Sequence, residues 1–447
     1  MTRVTTPPRP GDRGVGAKFR DRGRAVPPAA LRVTGVVSTG LVVAYALAFA
    51  WHRHEVDLDV YLMGGSHLFG GHLYDVRAVT THLSFTYTPF AALLFWPLSL
   101  FPEQGAELLW GAVNVVALAA LVAISLRAVR PDMDRRQLVG WSLLLMTPAL
   151  WLDPVRLTFS FGQINVVLAA LILADLTGVV RVGSKTVPRG VLTGLSAAVK
   201  LIPLIFAPYL FLTRQSRAAW VTVVTFVVCG LGMAALVPGT SWLFWTKYVS
   251  DAHRVGGSVF ISNQSLRAVM IRLHHGAVPN SVISVAVVGF GLAGLGLAMW
   301  AYRSSSPLLG ILVCATTGMV VSPITWAHHM VWVVPIILWL ALAHDRPVGG
   351  WIWAIGAAVL FWSAPIWLVP YGSGRELSAH GWQILLGNSF FVAMMVFQIG
   401  VAAMLAFRRA GGSGRGRDPD RTTRGDGCQV GADHIDAARD PVPSLPG

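Results

Sequence analysis

The stretch LRVTGVVSTGLVVAYALAFAW (residues 31–51) is followed closely by EVDLDVY (residues 55–61). The first stretch is apolar and, at about 1.5 Å per residue in a helix, long enough to cross the hydrocarbon core of a bilayer. The second brings three carboxylates, Glu55, Asp57 and Asp59, to the point where the chain leaves the membrane. Ionisable groups are costly at such a boundary, so their position favours a functional site over an ordinary solvated loop.

The apolar pattern continues along the chain, which has 54% hydrophobic and only 13% charged residues. Soluble domains carry roughly 25% charged residues. Repeated apolar runs near twenty residues, without the two-residue alternation of barrel strands, predict an all-α polytopic membrane protein. The three cysteines lie in two apolar segments and a tail, which indicates neither a disulfide framework nor a metal site.

The net charge of +14 comes from basic residues in the tails and in short loops between apolar runs. This is the positive-inside pattern of membrane proteins, and it argues against nucleic acid as a partner. Residues 1–30 and 408–447 are rich in Arg and Gly and are predicted to be disordered cytoplasmic tails. The transmembrane domain is therefore predicted at residues 31–407.

Ten apolar segments are predicted to cross the membrane: 31–51, 106–127, 138–153, 162–180, 218–238, 281–302, 307–323, 327–343, 349–369 and 386–407. Residues 86–101 and 188–213 are apolar but interrupted by prolines and, in the second case, by Lys200. Counting them as full crossings would put an arginine-rich loop outside, so we expect two short or re-entrant pieces, for 10–12 membrane helices in total. Broken helices at membrane depth line cavities, which points to a site at each break.

This topology puts both termini in the cytoplasm and the loops 52–85 and 239–280 outside the plasma membrane. Polar side chains of three kinds then gather on the outer face. Carboxylates can act as general bases, cations can bind phosphate, and amides and phenols can bind a polar head group. The candidates are Asp57 and Asp59 as acids, Lys200, Arg267, His328 and His329 as phosphate ligands, and Tyr61, Tyr87, Gln163, Asn165, Asn263 and Gln264 as substrate-binding residues.

Each candidate also has a purely structural explanation. Lys200 could extend its ammonium toward the interface, the adjacent histidines could be packing residues, and the amides could join helices. Asp57 and Asp59 form a D-x-D pattern like that of metal-dependent transferases, but residues two apart share a face only in an extended chain. No convincing set of metal ligands is present, so the sequence predicts neither a metal nor another cofactor.

Six motifs, in order, cover residues from about 31 to 407. They are Asp57-Leu-Asp-Val-Tyr61, Phe85-Thr-Tyr-Thr-Pro-Phe90, Gly162-Gln-Ile-Asn165, Gly194-Leu-Ser-Ala-Ala-Val-Lys-Leu-Ile-Pro203, Asn263-Gln-Ser265 and Ser322-Pro-Ile-Thr-Trp-Ala-His-His329. Together they resemble the membrane glycosyltransferases of the C superfold. The chain most resembles glycosyltransferase family 87, the polyprenol-phosphate-mannose-dependent α-1,2-mannosyltransferases of mycobacteria and related actinobacteria.

The resemblance implies a polyprenyl-phosphate mannose donor and an acceptor such as a phosphatidylinositol mannoside, a lipomannan or a lipoarabinomannan. On the predicted topology the transfer would take place outside the plasma membrane, among membrane lipids. We expect a single inversion, in which Lys200 with an Arg or a His stabilises the charge of the leaving phosphate. The catalytic aspartate of the family corresponds to Asp57. Asp59 stands where the family more often has another residue, which leaves the choice of base between the two carboxylates open.

Two other functions remain compatible with the sequence. One is a carrier, either of a lipid-linked sugar or coupled to protons, because broken helices and membrane charges are also features of transporters. Against this, the polar residues gather at one face and the two halves of the chain show no repeat. The other is a transferase for a different polyprenyl-phosphate sugar, such as arabinose.

Overall fold

The computed structural model describes residues 28–52, 55–179, 181–182, 185–251, 254 and 256–413. The predicted disordered tails lie outside the described residues, except that residues 28–30 and 408–413 are helical. The described chain is helical apart from loops, an isolated bridge between Arg77 and Ser84, and one small hairpin. That hairpin pairs β1 (Arg181–Val182) with β2 (Lys185–Thr186) in antiparallel register.

The α-helices follow one another in chain order. They are α1 (Pro28–His52), α2 (Val56–Ser66), α3 (Pro89–Phe95), α4 (Glu103–Val129), α5 (Arg135–Leu150), α6 (Asp153–Phe161), α7 (Asn165–Thr177), α8 (Val191–Val199), α9 (Phe206–Leu212), α10 (Ser216–Leu236), α11 (Pro238–Leu243), α12 (Leu266–Leu273), α13 (Asn280–Ser304), α14 (Pro307–Val321), α15 (Val333–Leu342), α16 (Gly350–Ser363), α17 (Trp382–Gly387) and α18 (Ser389–Ser413).

Within the described residues, five helices are long and apolar enough to cross a membrane: α1, α4, α10, α13 and α18. A sixth crossing is possible through α5 and α6, which are bent by 83° at the break between them. The remaining predicted spans coincide with shorter apolar helices. These helices make the chain a multi-pass membrane protein, as expected, whereas the predicted number of ten full crossings remains a prediction.

The predicted break at Lys200 is confirmed, because α8 ends at Val199 and a 3₁₀ turn begins at Ile202. Starting from Gly190, α8 runs parallel to α10: Gly190 lies against Ala218, and Gly194 lies one turn further on against Thr225. The helix α9 ends just before α10 starts, so it runs back to the end from which α8 began. The two helices α8 and α9 therefore form a helical hairpin with Lys200 at its tip.

The other apolar piece, residues 86–101, is also short in the structure. It consists of the seven-residue helix α3 and a 3₁₀ turn at Leu98–Leu100. The side chain of Thr88 caps α3 by accepting a hydrogen bond from the amide of Ala91 (3.2 Å) and donates to the carbonyl of Ala198 near the hairpin tip. The interrupted segment 86–101 is therefore in contact with the interruption at Lys200.

The helix α14 lies at the centre of the bundle, with every residue from Leu308 to Val320 buried. The second arm of the helical hairpin, which contains α9, runs antiparallel to α14, because Ile205 lies at Gly318 and Tyr209 lies at Gly310. We call the end of the bundle that holds α2, α6 and Lys200 the site end. The opposite end carries arginines such as Arg303 and Arg408, which donate hydrogen bonds to the carbonyls of Leu212 and Asp345.

Replacement of Gly194 tests the hairpin packing. A Cβ at this position would lie 2.6 Å from both the carbonyl oxygen of Thr222 and the Cβ of Thr225. We expect Gly194→Ala to destabilise the protein by about 1–3 kcal/mol, the usual cost of overpacking. Thermal unfolding in detergent, followed by loss of helical circular dichroism, measures this change.

Gly230 in α10 is the matched control, because an added Cβ there meets no atom within 4 Å. Gly230→Ala should leave the unfolding temperature unchanged or raise it slightly, since alanine favours a helix over glycine by about 1 kcal/mol. Equal unfolding temperatures for the two variants would contradict the close approach of α8 to α10.

Candidate functional site

The helix α2 separates the two candidate carboxylates. Successive residues of a helix are rotated by about 100°, so the side chains of Asp57 and Asp59 point in nearly opposite directions, about 160° apart. The carboxylate of Asp57 accepts a hydrogen bond from the amide of Gln163 and lies within the electric field of Lys200. The two acids therefore do not form the shared ligand face that a D-x-D metal site requires.

The position of Gln163 is fixed by the turn that precedes it. The helix α6 ends at Gly162, which adopts the left-handed conformation (φ 66°). A Cβ there would lie 2.4 Å from Oε2 of Glu55 and 2.6 Å from the Cβ of Leu58, so only glycine fits. The Gly162 carbonyl accepts a hydrogen bond from the Trp110 indole (2.7 Å), which anchors the turn on α4.

The side chain of Gln163 is the hub of the site. Its Oε1 accepts hydrogen bonds from the hydroxyl of Tyr61 (2.9 Å), the ammonium of Lys200 (2.9 Å) and the amide of Asn165 (3.3 Å). Its Nε2 donates to the hydroxyl of Tyr87 (3.4 Å). The structure thus brings together five of the predicted site residues around Asp57.

The ammonium of Lys200 is buried and donates a second hydrogen bond to Oδ1 of Asn165 (2.9 Å). It also lies 5.1 Å from the centre of the Tyr87 ring, where the negative face of the aromatic ring attracts a cation. Its hydrogen-bond partners are neutral amides, and the nearby acid is Asp57. A buried cation held in this way can attract an additional anion.

Two opposing effects act on the pKa of the Asp57 carboxyl. Burial raises this pKa, while the hydrogen bond from Gln163 and the charge of Lys200 act in the opposite direction. Burial has the larger effect, so the pKa lies above its ordinary value. The side chain remains partly accessible, so this carboxylate can meet a substrate and is a stronger base than an ordinary surface aspartate.

The two predicted histidines lie beside this cluster. The backbone carbonyl of His328 accepts a hydrogen bond from Asn165 (3.0 Å). The centre of the His328 ring lies 5.8 Å from that of Phe161 and 4.9 Å from that of His329. Neither ring nitrogen of His328 has a hydrogen-bond partner among the described residues. Buried polar atoms usually have partners, so these nitrogens are available to a ligand.

A cavity of about 50 Å³ adjoins His329 and the tip of the helical hairpin. His329, Lys200 and Asn165 supply its polar lining, and apolar side chains such as Met319 form the rest. The site therefore has donors on one side of a small cavity and a carboxylate nearby. An anionic group could be bound next to a group that takes up a proton.

Three of the predicted residues occupy other positions. Asn263 and Gln264 are fully buried and bonded to the chain itself: Gln264 donates to the Gly387 carbonyl (2.8 Å) and accepts from the Phe391 amide (3.0 Å). Oδ1 of Asn263 accepts from the amide of Thr325 (2.9 Å). Arg267 donates to Asn280 (3.2 Å) at the start of α13. The first two support the loop that carries the histidines, and the structure does not bring any of the three into the Gln163 cluster.

Sequence reasoning missed two residues that shape the site. Trp110 fixes the Gly162 turn, and Glu107, buried one turn earlier on α4, lies near Glu55. Both residues lie inside an apolar run. A Trp in such a run is typical of an anchor at the membrane interface, so the sequence did not indicate a role in the site. The detectable signal was Glu107 itself, an acid within the first helical turns of a predicted span. Among the described residues, no three His, Cys, Asp or Glu side chains are grouped as metal ligands.

The fold and site define a multi-pass helical membrane protein with a buried cation and a basic carboxylate at one end of its bundle. The chain belongs to glycosyltransferase family 87, whose sequence model matches residues 85–323. It is therefore a member of a family of glycosyltransferases, as the motifs predicted.

Characterised relatives carry more specific descriptions. A polyprenol-phosphate-mannose-dependent alpha-(1-2)-phosphatidylinositol mannoside mannosyltransferase of Mycobacterium tuberculosis is 32% identical over 363 residues, covering 76% of this chain and 83% of that protein. The protein of the same description from Mycolicibacterium smegmatis is 33% identical, with coverage of 75% and 81%. A Mycobacterium tuberculosis phosphatidylinositol pentamannoside mannosyltransferase is 34% identical, with coverage of 76% and 83%. No solved structure has significant similarity to the chain.

Glu55 provides a test of the packing beneath the site. Burial and the nearby Glu107 raise its pKa from 4.5 to about 8. The folded state thus retains a proton that the unfolded state loses, so this contribution to stability is complete below pH 4.5 and is lost as the pH rises to about 8. Because Glu55→Gln is neutral throughout, its unfolding temperature should fall less than that of the wild type over this interval.

The unfolding temperature of purified protein in detergent, measured at several pH values, checks this expectation. Superimposable curves for the wild type and Glu55→Gln would exclude a buried proton on Glu55.

Proposed function

We propose that this protein transfers mannose from polyprenyl-phosphate mannose to a mannosylated phosphatidylinositol lipid or lipoglycan, such as a lipomannan, and forms an α-1,2 linkage. The observation that carries the proposal is the buried Lys200, held by Gln163 and Asn165 beside Asp57. A lipid-linked sugar phosphate requires a cation for its phosphate and a base for the incoming hydroxyl. The family and the descriptions of the relatives support mannose as the sugar.

In the proposed reaction, Asp57 removes the proton from an acceptor hydroxyl. The hydroxyl oxygen forms a bond to the anomeric carbon of mannose, and the bond from that carbon to the phosphate oxygen breaks. The polyprenyl phosphate leaves with the electron pair, and its negative charge is stabilised by Lys200 and by hydrogen bonds from His328 and His329. A single displacement converts a β-linked donor into an α-linked product. No step requires a metal ion.

Asp57 is our choice of base over Asp59. The α2 helix directs the two carboxylates about 160° apart, and both Asp57 and Lys200 interact with Gln163. A base must lie within hydrogen-bonding distance of the group it deprotonates, and the leaving phosphate must lie near a cation. Asp57 meets both requirements in one place.

A membrane-facing groove supports the assignment of a polyprenyl donor. The groove, of about 1010 Å³, lies among α14, α15, α16 and α18 and is almost entirely apolar. It extends from Ser389 to Arg408, about 29 Å at 1.5 Å per residue along α18. Met319 lines both this groove and the small cavity beside Lys200. We infer that the polyprenyl chain lies in the groove with its phosphate toward Lys200.

The distribution of arginines supports a location outside the plasma membrane for the reaction. The end opposite the site carries most of the basic loop residues: Arg127, Arg130, Arg135, Arg136, Arg189, Arg214, Arg217, Arg303, Arg346 and Arg408. Positive loops remain in the cytoplasm, so both termini would lie inside and the site end outside. The proposed phosphatidylinositol acceptor supports the predicted location in the plasma membrane.

The decisive experiment measures transfer of radiolabelled mannose from synthetic polyprenyl-phosphate mannose to a panel of mannosylated phosphatidylinositol acceptors, with a chelator present. We expect labelled product from the wild type and a loss of about 10²–10⁴-fold or more for Asp57→Asn, which keeps the size but removes the base. Asp59→Asn is the matched control and should retain most of the activity.

Several results would count against the proposal. Activity in a folded Asp57→Asn protein together with its loss in Asp59→Asn would move the base to Asp59. Dependence on added Mg²⁺ or Mn²⁺ would revive the two aspartates as metal ligands. Transfer from polyprenyl-phosphate arabinose but not from the mannose donor would show that the enzyme uses a different sugar. Movement of the sugar lipid across the membrane without any transfer would favour a carrier.

The lipid groove can be tested separately with Gly400→Trp. Gly400 lines the groove and has open space around an added side chain, so an indole would fill part of it. We expect the KM for a long-chain donor to rise about tenfold, while the KM for a short-chain donor changes little. Gly289→Trp on α13 is the control, since Gly289 also has open space but does not line the groove. An equal loss with both donors would contradict this placement of the chain.

A further inference from the structure

Four aromatic rings converge at the site end, apart from the cluster around Lys200. Phe260 lies at the centre, with its ring 6.1 Å from Trp326, 6.4 Å from Trp367 and 5.9 Å from Tyr371. Trp367 and Tyr371 are 5.4 Å apart. All four side chains are partly exposed, and Tyr371 is 39% exposed. We call these residues the aromatic cluster.

Two buried charged residues hold the loops that carry the cluster. Arg272 is 4% exposed and donates to the carbonyl of Phe260 (3.2 Å). Glu376 is 1% exposed and accepts from the amides of Ile261 (3.3 Å) and Gly372 (2.7 Å), the neighbours of Phe260 and Tyr371. Burying charge is costly unless it is compensated, and here the compensating hydrogen bonds go to the backbone of the loops that carry Phe260 and Tyr371.

One edge of the cluster is polar. The indole of Trp367 donates to Oδ2 of Asp153 (3.2 Å), and Arg156 donates to Oδ1 of the same carboxylate (2.7 Å). The Asp153 side chain is fully buried, whereas the Arg156 side chain is 37% exposed. The carboxylate therefore fixes both an aromatic ring and a guanidinium, whose other donors remain available at the surface.

The aromatic cluster lies close to the reacting groups. Trp326 is two residues before His328, so their Cα atoms are at most about 7.6 Å apart. Asp153 begins α6, and Phe161 ends it against His328, about 12 Å further along the helix axis. The cluster is thus separated from the reaction centre by a distance on the scale of one or two sugar rings.

We propose that the aromatic cluster and Arg156 form a carbohydrate subsite for a mannosyl residue of the acceptor, next to the one that reacts. The proposal rests on the function proposed above. The face of a pyranose presents C–H groups that pack on the electron-rich face of an aromatic ring, while its hydroxyls need polar partners at the edge. Trp326, Trp367 and Tyr371 supply the rings, and the Arg156 guanidinium supplies the polar group at the edge.

The arrangement differs from that of other exposed tryptophans among the described residues. Trp362 and Trp382 are each 62% exposed and make no ring contact with another described aromatic residue. Single exposed rings of this kind are usual at a membrane interface. The aromatic cluster instead packs ring on ring around a polar edge, which is the pattern of a binding site for a small, partly apolar ligand.

Binding of a soluble mannose disaccharide to donor-free protein tests the subsite directly, with isothermal titration calorimetry as the measurement. We expect saturable binding to the wild type, and a Kd about tenfold higher for Trp326→Leu and Tyr371→Ala, equal to about 1.4 kcal/mol at 25 °C. Tyr371→Phe retains the ring and should bind nearly as well as the wild type, which separates loss of the ring from misfolding. Trp362→Leu should bind like the wild type.

Acceptor kinetics distinguish failure of the subsite from failure of the proposed function. If the wild type transfers mannose, Tyr371→Ala should raise KM for a dimannosylated acceptor and leave KM for a monomannosylated acceptor unchanged. Disaccharide binding that is lost in Tyr371→Ala supports the subsite even if no mannose is transferred. No binding to the wild type, or equal kinetic effects on both acceptors, would overturn it and leave the rings as a membrane anchor.

Discussion

The buried ammonium of Lys200 is the constraint on which the rest of the site depends. It interrupts an apolar hairpin, and a cation at that depth is stable only if its donors are satisfied. Gln163 and Asn165 provide acceptors at 2.9 Å, and each comes from the joint between α6 and α7. The turn at Gly162, its anchor on Trp110 and the orientation of Tyr61 all serve to hold these two amides.

The sequence predicted the helical elements well because length and hydropathy largely determine where a chain can cross a bilayer. The ten predicted segments coincide with helices. Residues 86–101 and 188–213 are interrupted, as their prolines and Lys200 had indicated. It did not predict the 83° bend between α5 and α6, or how short α7 and α16 are. These features depend on packing between helices that are distant in sequence.

The site was predictable to a similar degree. The predicted topology grouped Asp57, Tyr61, Tyr87, Gln163, Asn165 and Lys200 on one face of the membrane, and the structure places them in one cluster. Asn263 and Gln264 carry the same residue types, yet their side chains are bonded to the backbone of neighbouring loops. Residue type alone cannot separate an amide that binds a ligand from one that supports a loop, because both are buried and hydrogen-bonded. The helical conformation of α2, which separates Asp57 from Asp59, likewise required the fold.

The nearness of Lys200 to Asp57 has a consequence for the proposed reaction. A cation beside a carboxylate weakens it as a base, and Lys200 acts on Asp57 in this sense. When the donor phosphate binds to Lys200, its negative charge offsets that of the ammonium, so the field at Asp57 becomes less positive. The carboxylate then becomes more basic only while a donor is present. In the proposed reaction, donor binding and activation of the acceptor would thus be coupled through one lysine, and the enzyme without a donor would keep a weaker base.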